Sequence, residues 1–214
     1  MSLYYKILYE LGITPWEEDA TKGAVADQFS TLFAREESRR EPPYGRALEL
    51  GCGSGTWSVA LAARGWDVTG VDVVPKAIRQ ARARAAAAGV DARFVTADVT
   101  ELTDAAVEPG FDFVLDVECF NHLSTAQREA VGRRVNRVAA ADATMLMLVW
   151  SPGRRWPLPP GATREDIESA LSGWEVIDED PYLPASTLPG WLKNTELRFY
   201  RLVRSPQVPG GRAV

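Results

Sequence analysis

Residues 47–55 of this chain read Ala-Leu-Glu-Leu-Gly-Cys-Gly-Ser-Gly, and Asp72 closes the next apolar run. Glycines at 51, 53 and 55 stand between a short apolar segment and a helix-forming segment. Without a Cβ, glycine lets the backbone approach a ligand closely and adopt positive φ. The helix that follows aims free N–H groups and the positive end of its dipole at the same place. An acid ending the second strand is placed to accept from the two hydroxyls of a ribose. Strand, glycine turn, helix, strand and acid, in that order, predict a nucleoside-binding βαβ unit.

Two features narrow the nucleoside. A dinucleotide turn uses G-x-G-x-x-G, which brings helix and strand together around a pyrophosphate. Here the spacing is G-x-G-x-G, followed by Thr56-Trp57. Glu49 also stands just before the turn. A carboxylate there gains nothing from a pyrophosphate, but it attracts a ligand carrying an amino group and a sulfonium.

On these residues the chain resembles the class I S-adenosylmethionine (SAM) methyltransferases, whose first motif reads E/D-x-G-x-G-x-G. Residues 49–55 match that motif, and Asp72 matches the family's ribose-binding acid. The resemblance implies SAM as cofactor, S-adenosylhomocysteine (SAH) as product, and no metal. Two alternatives stay open. A nicotinamide oxidoreductase would bind NAD or NADP and ignore SAM. A non-catalytic SAM-binding module would keep the motif and turn nothing over.

The elements that must position these residues begin at Arg46. Strands are predicted at 47–50, 67–71, 92–96, 111–117 and 143–150, the last apolar enough for a central parallel strand. Helices are predicted over 56–64, from Pro75 to near Gly89, from a Ser124 cap to about Ala140, and from a Thr163 cap to Leu171. Strands at 174–178 and 196–203 follow with no helix between them. Alternating units of this kind make an α/β, doubly wound, mostly parallel sheet. The antiparallel ending resembles the methyltransferase fold, seven-stranded with its last strand inserted antiparallel. We expect one domain over 45–204. A helical N-terminal lid segment should occupy 1–44, with Tyr4, Tyr5, Leu8, Leu11 and then Val25, Phe29, Leu32 and Phe33 as its apolar stripes. A flexible tail should occupy 205–214.

Ligands of open α/β sheets lie at the carboxyl ends of the strands. Gly51, Gly53 and Gly55 follow the first strand, Asp72 and Val73 the second, Asp98 and Val99 the third, and Asp116, Val117, Glu118, Cys119 and Phe120 the fourth. By the resemblance, Asp98 meets the adenine amino group with Val99 beside it, and Val117 and its neighbours flank the methionine moiety. Residues 116–122, Asp-Val-Glu-Cys-Phe-Asn-His, resemble the corresponding segment of thiol, thiopurine and heterocyclic-phenol methyltransferases, D-x-x-x-F-H. Asn121 stands where the first His would. His122 is the chain's single histidine. It reads either as a general base of near-neutral pKa or as a helix-start residue bonded to backbone. Glu118 is the second catalytic candidate. Trp16 is expected to close the pocket and face a sulfonium through cation–π contact. Arg154, Arg155 and Trp156 form a charged and apolar rim after the fifth strand.

Composition removes other classes. A net charge of −5 over 214 residues suits a polyanion poorly, so no nucleic-acid partner is expected. The runs Arg79–Arg84 and Arg133–Arg137 read as solvated helix faces. Two cysteines imply neither a disulfide framework nor a cysteine metal site. No apolar run approaches the roughly 20 residues of a membrane span, and the N-terminus lacks a signal pattern. The expectation is a cytoplasmic monomer or homodimer that methylates a small, largely apolar molecule. Oxygen is the expected acceptor, in a phenol, a hydroxyl or a carboxylate such as a fatty acid. Sulfur or nitrogen is the alternative.

Overall fold

A computed structural model describes residues 7, 9–11, 23–153, 160–182 and 196–205. One seven-stranded sheet organises them, in the order β3-β2-β1-β4-β5-β7-β6. Its strands are β1 (Arg46–Leu50), β2 (Asp67–Asp72), β3 (Arg93–Thr96), β4 (Phe111–Val117), β5 (Ala139–Trp150), β6 (Trp174–Pro181) and β7 (Leu197–Arg204). The first five pair in parallel, and β7 is antiparallel to both β5 and β6. The helices are α1 (Gly23–Glu37), α2 (Thr56–Arg64), α3 (Pro75–Ala88), α4 (Thr125–Val138) and α5 (Arg164–Ala170). The doubly wound methyltransferase fold expected from the sequence is the fold observed.

Local chemistry sets most boundaries. Ser124 and Gln127 form a capping box at the start of α4, and Thr163 and Asp166 form one at the start of α5. Each box satisfies N–H groups that a helix start leaves without partners. Gly65 and Gly89 end α2 and α3 in the left-handed conformation. The strand β5 begins at Ala139, four residues before its expected start, and α4 is correspondingly shorter. Ala139 pairs with Phe111, and the register then shifts before Phe113 meets Thr144. The alanines of 139–143 have helical propensity, but the sheet pairing overrides it. Arg204 donates to the carbonyls of Asn136, Ala139 and Ala140 at 2.8, 2.5 and 3.0 Å, which secures the helix-to-strand junction.

Each face of the sheet carries a core. On one face Leu48, Leu50, Val114, Phe120, Val131, Val135, Met145 and Leu202 pack with α4 and α5. On the other, Phe113, Leu115, Leu146, Leu148 and Phe199 pack with Trp57, Leu61 and α1. The apolar stripe of α1 therefore belongs to the core. Phe29 stacks on Trp57 with centroids 3.6 Å apart and meets Phe199 edge-on at 5.1 Å. Two ion pairs fasten the same helix. Glu36 pairs with Arg201 of β7, both fully buried, and Glu37 takes both arms of Arg64 at 2.6 and 2.5 Å.

Candidate active site

The carboxyl ends of β1, β2 and β4 bring the predicted residues together. Gly51, Gly53 and Gly55 have φ of +66°, +53° and +78°, so all three need the left-handed freedom that glycine supplies. A Cβ on Gly51 would stand 2.8 Å from Cys119 Cβ and Sγ, and one on Gly55 would stand 2.8 Å from Ala81 Cβ. Cys52 N–H donates to the Val71 carbonyl at 2.9 Å, which lays the turn over the end of β2. Asp72 completes that junction: Oδ2 accepts from Gly53 N–H at 3.0 Å and Oδ1 from Val74 N–H at 2.8 Å.

Glu49 lies buried beneath the turn, where its carboxyl accepts from Ser58 Oγ. Burial pushes that carboxyl up to about 8, the Ser58 bond opposes the shift, and the Asp72 and Asp116 carboxylates add to it. Val73 packs beside Val74, Ala77 and the buried ring of Tyr9. Asp98 accepts from the N–H and hydroxyl of Thr100 at 2.8 and 2.7 Å, an Asx turn after β3. The Val99 side chain is buried in the core on the α4 face.

After β4 the backbone departs from ordinary conformation. Glu118 has φ of +67°, the single non-glycine among the described residues in that region. Its N–H donates to the Leu148 carbonyl at 3.1 Å, which holds the bend against β5. The residue as a whole keeps some exposure, yet protein encloses its carboxyl. Burial lifts that carboxyl to about 7, and the Trp150 indole partly offsets the rise. Val117 is half-buried against the α1-side core. Asp116 is fully buried. One oxygen accepts from Phe120 N–H at 3.1 Å, the other has no hydrogen-bond partner, and burial raises its carboxyl to about 7.

His122 closes a single 3-10 turn, Phe120–His122, and its N–H donates to the Cys119 carbonyl at 3.2 Å. Burial drives its imidazole down to about 4. The ring is therefore neutral at physiological pH, its pKa below the near-neutral range of one of the two readings the sequence left open. Trp16, Tyr4, Tyr5, Arg154, Arg155 and Trp156 lie outside the described residues.

Three residues to which the sequence reading gave no role also shape the site. Asn121, the departure in the D-x-x-x-F-H pattern, is fully buried. Its Oδ1 accepts from the Trp150 backbone N–H at 3.1 Å, while its Nδ2 has no hydrogen-bond partner. Trp150 ends β5 beside Glu118. Arg128 reaches from α4 to the carbonyls of Phe120 at 3.2 Å and Gly161 at 2.6 Å, so it ties the 3-10 turn to the segment after β5. A polar residue inside a pattern of apolar core positions was the available signal for Asn121 and Arg128.

The arrangement fits SAM. The glycine turn packs on Cys119 and Ala81 too closely for any side chain, and the Asp72 carboxyl stands beside it at the end of β2. Among the described residues no group of three His, Cys, Asp or Glu could hold a metal ion, and no helix is long and apolar enough to cross a membrane.

Comparison with known proteins defines the class. A family described as "Methyltransferase domain" matches residues 47–142. The ubiquinone biosynthesis O-methyltransferase of Sinorhizobium medicae (strain WSM419) is 37% identical over 177 residues, 72% of this chain and 70% of that protein. The 2-heptyl-1-hydroxyquinolin-4(1H)-one methyltransferase of Mycobacteroides abscessus is 31% identical over 140 residues, 64% of this chain and 61% of that one. Among solved structures, the N-methyltransferase NodS of Bradyrhizobium japonicum WM9 in complex with SAH shares the fold. Its TM-score is 0.74 over 95% of this chain and 99% of that one, at 16% identity. The chain belongs to the class I SAM-dependent methyltransferases. It is an enzyme that transfers a methyl group from SAM to a small molecule.

Proposed function

We propose that this enzyme methylates oxygen on a small, largely apolar acceptor, with the Glu118 carboxylate receiving the acceptor's proton. The carrying observation is Glu118 itself. A non-glycine residue held at positive φ costs about 1–3 kcal/mol and persists where its surroundings over-determine it, commonly at reactive sites. Here it places a carboxyl of pKa about 7 at the carboxyl end of β4, where a base for neutral pH is wanted. One relative supports oxygen by its own name, the ubiquinone biosynthesis O-methyltransferase.

In this reading Gly51, Gly53 and Gly55 receive the cofactor, Asp72 takes the ribose hydroxyls and Val73 lies beside them. Asp98 takes the adenine amino group, with Val99 at its back. Glu49, protonated at neutral pH, supports the turn from beneath through its bond with Ser58, and Val117 borders the methionine portion. When bound, SAM supplies an activated methyl group on a sulfonium and departs as a neutral thioether. The protein's share is alignment, worth up to roughly 7–11 kcal/mol in favourable cases, and management of one proton. As the acceptor oxygen bonds to the methyl carbon, its O–H proton passes to a carboxylate oxygen of Glu118. His122, neutral, hydrogen-bonds and orients the acceptor. Tyr9, buried against Val73, Val74 and Ala77 at the end of β2, supports a lid role for the segment that also contains Trp16.

The test is transfer of labelled methyl from SAM to a panel of phenols, medium-chain carboxylic acids, thiols and amines. Label in phenols or acids supports oxygen. Label confined to thiols or amines overturns it.

A further inference from the structure

The arginine run on α3 is not simply a solvated face. Arg82 donates to the Phe94 carbonyl of β3 at 2.7 Å. Arg84 does more. Its Nε donates to the Ser54 carbonyl at 3.0 Å and its Nη2 to Ser54 Oγ at 2.8 Å. Ser54 is the buried residue between Gly53 and Gly55, and Arg84 is half-buried over it.

Other bonds on the turn come from the end of β2 and from the turn itself. Asp72 holds Gly53 N–H, the Val71 carbonyl holds Cys52 N–H, and Gly55 N–H returns to the Cys52 carbonyl. From the helix side, α3 holds the Ser54 peptide through Arg84. The same helix sets Ala81 beneath Gly55 so closely that no Cβ fits between them. A turn of glycines at positive φ has many conformations open to it in isolation. Two donors on one rigid guanidinium fix the orientation of a peptide as a single point donor does not.

We propose that Arg84 is a positioning residue for the cofactor: by gripping the Ser54 carbonyl and hydroxyl together, it holds the Gly51–Gly55 turn in its binding shape before SAM arrives. A turn ordered in advance spares the complex the cost of ordering it. The inference rests on the reading of this turn as the cofactor cradle. Lysine in place of Arg84 keeps the charge and offers one centre to two acceptors, so it restores part of the grip. Methionine keeps the apolar stem over the helix and removes both bonds.

The experiment is calorimetric titration with SAH of the full chain and of Arg84→Met, Arg84→Lys and Asp72→Ala, with amide hydrogen exchange of each free protein. Arg84→Met should raise the SAH Kd about tenfold, as loss of charge-assisted bonds implies. Arg84→Lys should recover part of it. Exchange should quicken at residues 51–56 while β1 and β4 keep their protection. Unchanged SAH affinity in Arg84→Met beside weakened affinity in Asp72→Ala overturns the role of Arg84 and leaves the cradle assignment standing. Unchanged affinity in both overturns the cradle assignment and the inference with it. Exchange that quickens evenly over the whole sheet also overturns the inference, because Arg84 would then serve general stability.

Discussion

Asn121 Oδ1 accepts the backbone N–H of Trp150 across 3.1 Å, so the turn after β4 and the last residue of β5 are one mechanical unit. The bond is buried, and Asn121→Ala leaves the Trp150 N–H without a partner. An orphaned buried donor costs about 1–3 kcal/mol, which urea denaturation should show. Turnover should fall by a larger factor than SAH affinity, because the displaced segment carries Glu118 and His122 rather than the glycine turn. Equal loss of both would place Asn121 in the cofactor's support instead.

Glu118→Gln keeps the shape of the side chain and removes the base. With a hydroxyl acceptor, kcat at neutral pH should drop about a hundredfold or more. In the unaltered enzyme, activity should rise with pH through about 7, as the Glu118 carboxyl loses its proton, and the variant should lose that inflection. A carboxylate acceptor arrives already ionised and would leave kcat nearly untouched, so the pH profile also separates the two kinds of oxygen.

Asp72→Ala removes a group bonded to Gly53 N–H and Val74 N–H and assigned to the ribose. Affinity for SAH should weaken by roughly 1–3 kcal/mol. Calorimetry that finds no change would show that the acid serves the turn alone.

Stability should fall as pH rises from about 4 to about 8. The folded protein retains protons on Glu49, Asp116 and Glu118 up to about 8, 7 and 7, whereas the unfolded chain releases them near pH 4. Their contribution is complete below the unfolded values and is lost as pH climbs through the folded ones. His122 works the other way. Its contribution is present above about pH 6.5 and is lost as pH falls through about 4. Urea midpoints across this range should decline, and Glu49→Gln should flatten the decline. A midpoint that climbs toward about pH 8 would contradict the buried-carboxyl account.

Phe29→Ala should destabilise the protein by about 3–5 kcal/mol, the usual cost of emptying a buried aromatic site. Phe29 touches both Trp57 and Phe199, so its loss is felt on both sides of the α1-side core. A loss under 1 kcal/mol would mean that α1 lies on the domain without being built into it.

What could be read from the sequence was what local chemistry decides. The glycine turn, its following helix, Asp72 and the caps at Ser124 and Thr163 depend on neighbours within a few positions, and each stands where its residues imply. The start of β5 was misplaced because the alanines of 139–143 favour helix, and only pairing with distant Phe111 makes them strand. The stripe Phe29, Leu32, Phe33 announces burial but not its partners, which are Trp57, Phe113 and Phe199. The fall of the His122 pKa comes from enclosure by tertiary packing, which spacing does not encode. The contacts of Arg82 and Arg84 were hidden for a related reason: a helical run of arginines does not disclose which backbone carbonyls lie within reach.

The pairing of Glu36 with Arg201 spans 165 positions, and β7 sits between β5 and β6. Consider the chain as it leaves a ribosome. The β1–β5 half can pair as it emerges and offers α1 Trp57, Phe113 and Arg64, but Phe29 lacks its Phe199 neighbour and Glu36 its Arg201 partner until β7 is free of the exit tunnel. Until then the edge of Phe29 that Phe199 covers is open to solvent and to other chains. Completion of the fold thus waits for β7. A message cut short before codon 204 yields a nascent chain with an unsealed aromatic face, the kind of surface that chaperones and proteases recognise.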